Sequence, residues 1–97
     1  MSMDDDSLET LDALIAGFLA GDTPFETLEA RFSTVYLFLP DHAFPDVQTE
    51  VWYGVVHERV ERTMPEPSPD QRRSGWRSVA ELRAWLTDAV AIKPRVE

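Results

Sequence analysis

Two histidines, one lysine and no cysteine limit the chemistry this chain can carry out. Nucleophilic catalysis needs an activated serine, threonine, cysteine or lysine beside an oriented base. Cysteine is absent, and Lys93 falls in the C-terminal tail. His57-Glu58 sets an acid beside a base. Neighbours on a helix point about 100° apart, however, so the two side chains do not share a site, and a pair of solvated polar residues is the favoured reading. Asp41, His42 and Asp46 offer oxygen and imidazole ligands near a helix start. No repeated ligand spacing supports them, which leaves charged loop residues. Glycines stand apart at positions 17, 21, 54 and 75, so no phosphate-cradling loop is present. The expectation is a protein without catalytic residues, cofactor, metal or small-molecule substrate.

Asp6-Ser7-Leu8 followed by Glu9-Thr10-Leu11 resembles the phosphopantetheine attachment sequence of acyl carrier proteins. In that family the serine opens the second helix. Here only six residues precede Ser7, so the match reads instead as an N-cap serine behind helpful acids.

Charge is the most informative feature. Residues 1–58 hold twelve acids and one base, Arg31, for a sum of −11. Residues 59–97 hold six acids and eight bases, for +2, and the whole is −9. Such a field repels nucleic acid and anionic lipid and speeds encounter with basic proteins. The expected partner is therefore a basic protein, not nucleic acid and not a membrane. Met1-Ser2-Met3-Asp4-Asp5-Asp6 puts acids where a signal peptide carries bases. The longest apolar stretch, Leu11 to Ala20, is interrupted by Asp12 and Gly17 and is too short for a bilayer. With no cysteine, a reducing, cytoplasmic setting is the expectation. Arg72-Arg73-Ser74-Gly75-Trp76-Arg77 is the one basic cluster. It mixes arginine with an aromatic as single-strand binders do, but the acidic body opposes that use.

These residues must be positioned by one domain, since 97 residues can enclose one core. Four segments show helical spacing, predicting an all-α, antiparallel four-helix bundle with helices near 7–20, 24–39, 43–63 and 78–90. The first carries Leu8, Leu11, Ile15 and Phe18, flanked by Leu14 and Leu19, and ends at Gly21. Thr23-Pro24-Phe25-Glu26 reads as a capping box opening the second, whose stripe is Phe25, Leu28, Phe32, Val35, Tyr36 and Leu39. The third has Phe44, Val47, Val51, Trp52, Val55, Val56 and Val60 as its apolar set. Five of these seven are valine, which leaves a strand near Val51 to Val56 as a minority alternative. Ser78-Val79-Ala80-Glu81 is a further capping box, opening a helix with Val79, Leu82, Trp85, Leu86 and Val90. Residues 1–6 form an acidic tail, 64–77 a proline- and arginine-containing loop, and 91–97 a frayed tail.

Asp46, Glu50, Tyr53, His57 and Glu61 are spaced by four, three, four and four, which aligns them on one side of the third helix. This stripe, with Asp41 and Glu58 at its edges, is the expected contact face, and Tyr53 is its anchor. An ordinary polar helix face is the competing reading. Gly54 in mid-helix costs about 1 kcal/mol against alanine, which implies close approach by a neighbouring helix or a partner.

Leu14-Ile15-Ala16-Gly17-Phe18-Leu19-Ala20-Gly21-Asp22 and Phe25-Glu26-Thr27-Leu28-Glu29-Ala30-Arg31-Phe32 resemble the opening of the colicin D immunity-like proteins. The resemblance continues through Val56-His57-Glu58-Arg59-Val60-Glu61, Pro65-Glu66-Pro67 and Val79-Ala80-Glu81-Leu82-Arg83-Ala84-Trp85-Leu86. It covers roughly residues 8 to 90 and consists of helix lengths and apolar spacing rather than a signature. It implies a four-helix bundle that neutralises a cognate bacterial toxin by covering the basic cleft of a transfer-RNA-cleaving domain. The resemblance also extends to protection against toxins of contact-dependent inhibition systems. The segment Gln71 to Arg77 is more basic than that pattern. An acidic adaptor, secretion chaperone or anti-activator is the alternative. On the toxin-neutralising reading, Glu50→Arg or Tyr53→Ala leaves the fold intact and weakens binding to a basic toxin domain.

Overall fold

The structure, a computed structural model, describes residues 8–93. The acidic tail 1–6, Ser7 and residues 94–97 lie outside the described residues. The chain is all-α. In order, α1 spans Leu8–Ala20, α2 Phe25–Phe38, α3 Val47–Glu61, α4 Pro69–Arg73 and α5 Val79–Ala91, with a 3-10 turn at Asp41–Ala43. Among the described residues the only strand-like feature is an isolated parallel bridge between Thr63 and Arg77. The minority strand at Val51 to Val56 is helix. α1 packs on α2 and α5, and α3 packs on the same two helices.

One core joins them. α1 supplies Leu11, Ile15 and Phe18; α2 supplies Phe25, Leu28, Phe32 and Val35; α3 supplies Tyr53, Val56 and Val60; α5 supplies Leu82 and Leu86. On α1 and α2 the buried residues are those that the spacing selects.

The α1–α2 turn is built on two glycines. Gly21 closes α1 at φ 88°, a left-handed conformation that costs glycine little. Gly17 accepts hydrogen bonds at its carbonyl from the Asp22 and Thr23 amides, at 2.8 and 3.0 Å. A Cβ on Gly17 would collide with the Thr23 side chain. Thr23 therefore lies over Gly17 and does not cap α2. The N-cap there is Pro24, with no side-chain hydrogen bond, so the expected Thr23 capping box does not form.

The second expected capping box does form. The Ser78 hydroxyl accepts from the Glu81 amide, and Glu81 accepts in return from the Ser78 amide at 2.9 Å. Segment 64–77 is more ordered than the expected loop. Ser68 and Gln71 make another reciprocal cap, Pro69 fills the first turn, and α4 follows. Backbone bonds from Met64 N–H to Arg77 O (3.0 Å) and from Arg77 N–H to Arg62 O (3.1 Å) pin the segment to the end of α3. α3 itself starts at Val47 rather than 43, because Asp46 caps it.

The C-terminal tail is anchored at least to Lys93. Its ammonium donates to Asp12 Oδ1 at 2.8 Å and lies near the Trp52 and Tyr53 rings. Most of the tail expected to fray, residues 94–97, lies outside the described residues.

Two carboxylates tie stability to pH. The Ser78 amide first, and the Arg72 guanidinium second, hold the Glu81 carboxyl down at about 2. The Thr49 amide lowers Asp46 in the same way. A carboxyl lowered on folding stabilises the protein above its unfolded value and loses that contribution as pH falls through the folded value. The urea midpoint is thus expected to drop between pH 4.5 and about 2. Glu81→Gln keeps the reciprocal cap without the charge and should flatten that slope, as urea titrations at several pH values will measure.

Candidate binding surface

The outward side of α3 differs from the expected stripe. Its buried residues are Thr49, Tyr53, Val56 and Val60, and Tyr53 is only 1% exposed. Val47, Val51 and Val55, expected in the core, are instead 72%, 56% and 41% exposed. At 100° per residue the helix is turned about a third of a turn from the phase the valines suggest.

Tyr53 is therefore a core residue and not a surface anchor. Its hydroxyl donates to Asp12 Oδ1 at 2.5 Å, and the same oxygen receives Lys93. Burial pushes the Tyr53 phenol far above its ordinary value, and the Asp12 carboxylate adds to the effect. The phenol stays protonated and serves as a fixed donor. A buried tyrosine hydroxyl needs a partner, and Asp12, one of the two breaks in the apolar run of α1, provides it.

The other candidates separate into distinct roles. Asp46 is the N-cap of α3, its Oδ1 accepting from the Thr49 amide at 2.7 Å. His57 is partly buried and stacks on Tyr36 at 4.6 Å. Its Nε2 is buried without a hydrogen-bond partner among the described residues and lies 3.8 Å from Glu61. It is not an outward contact. Glu61 is exposed and accepts from the Ser33 hydroxyl at 2.8 Å. Glu50 and Glu58 are exposed. Asp41 opens the 3-10 turn, and its side chain lies outside the described set. Gly54 faces Tyr36: a Cβ there would lie 3.1 Å from the Tyr36 hydroxyl. The close approach inferred from Gly54 is thus made by α2.

What faces out of α3 is a ridge of Val47, Val51 and Val55 bordered by Glu50, Glu58 and Glu61. On the α5 side the ridge runs into an apolar groove of about 250 Å³ lined by Trp52, Val55, Trp85, Ala89 and Ile92. Trp52 bridges the two helices by donating to Ala89 O at 3.0 Å. The seven sequence candidates omit the valines. Their signal was present, since α3 is apolar on more than one side, but spacing did not show which side turns inward.

Among the described residues no group of three or more His, Asp or Glu side chains could hold a metal. His57 is stacked on the Tyr36 ring, while Glu58 is exposed. No described helix is long and apolar enough to cross a membrane. Against known proteins, the chain matches no family model, no curated protein and no solved structure.

Proposed function

We propose that this chain is a binding protein that neutralises a basic toxin domain, in the manner of a bacterial immunity protein acting in the cytoplasm. In this reading α1, α2, α3 and α5 form an antiparallel four-helix bundle, and α3 presents the contact face. The observation that carries it is the outward side of α3, where exposed valines are bordered by Glu50, Glu58 and Glu61. An apolar centre with a charged rim is the anatomy of a specific interface. The rim belongs to the −11 half of the chain apart from Glu61, so it complements the positive cleft that a nuclease needs for phosphates. Binding of this kind uses no catalysis.

The exposed valine ridge also favours a second reading, an adaptor or secretion chaperone that holds an apolar, basic segment of another protein. Co-expression separates the two. If the neighbouring upstream gene encodes a protein whose C-terminal domain kills cells, this chain should restore growth and co-purify with that domain. Killing that persists despite soluble expression of this chain rejects the toxin-neutralising reading.

A further inference from the structure

A second cavity lies at the other end of α3, mostly in the half of the chain whose net charge is +2. A cleft of about 410 Å³ opens between the end of α3, the segment before α5 and α5 itself. That volume lies within the range of small-molecule sites. Arg59 and Arg62 of α3 and Arg77 of the connecting segment line it, against Glu58, Glu81 and the Trp85 ring.

Each guanidinium is held in place without being neutralised. Arg59 lies over the Trp85 ring at 4.8 Å, a contact that uses the face of the cation and leaves its in-plane N–H groups free. Arg62 donates one Nη1 bond to Ser74 O at 3.1 Å. Arg77 Nη1 donates to Arg72 O and Trp76 O at 3.1 and 2.8 Å. None of the three forms an ion pair among the described residues, where the pairs made by arginine are Arg72–Glu81 and Arg73–Asp70. Glu81 is already engaged by Arg72 and the Ser78 amide.

This is unexpected in a chain with eighteen acids and nine lysines and arginines. With acids in twofold excess, three neighbouring arginines should find carboxylates. They are instead held by carbonyls and a ring, and all three residues line one cleft. Guanidinium groups recognise phosphate through paired N–H donors, and donors fixed in advance lose less entropy on binding.

We infer that this cleft binds a small phosphate monoester whose organic group rests against Trp85. Three guanidiniums match the three terminal oxygens of a phosphomonoester better than the two of a carboxylate. The size of the cleft and the −9 body exclude a nucleic-acid strand, whose many phosphates meet repulsion elsewhere. The cleft adjoins the valine ridge through Glu58 and Trp85, but its arginines lie outside the ridge and the inference does not depend on the toxin reading.

The test is titration of the full chain with phenyl phosphate, followed by calorimetry and by the NMR shift of the Trp85 indole N–H. Saturable binding with Kd of about 1 mM or tighter is expected. Arg59→Gln and Arg62→Gln should each weaken it at least about tenfold. Arg31→Gln, a charge change on the exposed side of α2, should leave it unchanged. Circular dichroism checks that each variant is folded; if one is not, the other still decides. Benzoate should bind at least about tenfold more weakly than phenyl phosphate. No saturation, equal loss in Arg31→Gln, or equal affinity for benzoate overturns the assignment.

Discussion

Replacing Tyr53 by alanine is expected to remove a large share of the stability of this protein. Emptying the space of a buried aromatic ring costs about 3–5 kcal/mol. A domain of this size has about 5–15 kcal/mol in total. The ring is 1% exposed and lies within reach of Phe44 and Trp52, with centroids at 6.1 and 4.9 Å. Truncation also leaves Asp12 with Lys93 as its one remaining side-chain partner. Tyr53→Phe keeps the ring and deletes one hydrogen bond, a loss of about 0.5–1.5 kcal/mol. Urea unfolding followed by circular dichroism separates the two variants. A Tyr53→Ala protein with the wild-type midpoint would contradict the buried position of the ring. This reverses the sequence-based expectation that the substitution spares the fold.

Val51→Asp should act in the opposite way. Val51 is 56% exposed, and exposed helix substitutions usually change stability by less than about 0.5 kcal/mol. Valine and aspartate also have similar helix propensities. If the ridge is the centre of the interface, burying a carboxylate there removes about 2 kcal/mol or more of binding, roughly 30-fold in Kd. The loss should appear mainly as faster dissociation. Glu50→Arg, on the rim, should instead slow association and reduce its salt dependence. Surface plasmon resonance against the toxin domain recovered by co-expression reads both rates. Wild-type affinity in Val51→Asp would remove the ridge from the interface.

The contrast between these residues shows what could be read in the sequence. The stripes of α1 and α2 were legible because large apolar residues recur there on one side and polar ones on the other. Leu11, Ile15, Phe18, Leu28, Phe32 and Val35 all lie in the core. On α5 Leu82 and Leu86 follow suit, while Val90 is 41% exposed. α3 was legible as a helix but not in its rotation. Val47, Val51, Val55, Val56 and Val60 spread over much of its circumference, so the pattern alone fixes the phase poorly. The choice is settled by tertiary contacts. A tyrosine ring buries more area than a valine, and Asp12 supplies the partner its hydroxyl needs. Neither fact is local to α3.

The same limit explains the site. Glu50, Glu58 and Glu61 are exposed. Tyr53 and His57 were drawn into the polar stripe by their chemistry, although both side chains turn toward α1 and α2. α4 was missed for a different reason. Ser68-Pro69-Asp70-Gln71 carries a helix-start signature, but the alternating prolines before it suggested extended chain. In α1 the two breaks in the apolar run, Asp12 and Gly17, turned out to be structural: one receives Tyr53 and Lys93, and the other makes room for Thr23.

The junction of Asp12, Tyr53 and Lys93 also bears on how long the native state lasts. Its members are separated by 41 and 81 positions from Asp12. It cannot assemble until α1, α3 and the chain beyond α5 have all come together. Closing such wide loops is entropically costly, so contacts of this kind tend to form after the rate-limiting step. Interactions absent from the transition state govern the rate of unfolding rather than the rate of folding. The ion pair made by Lys93 is therefore expected to act on the rate at which the fold is lost rather than on the rate at which it is reached, and Lys93→Met should raise the unfolding rate more than it lowers the folding rate.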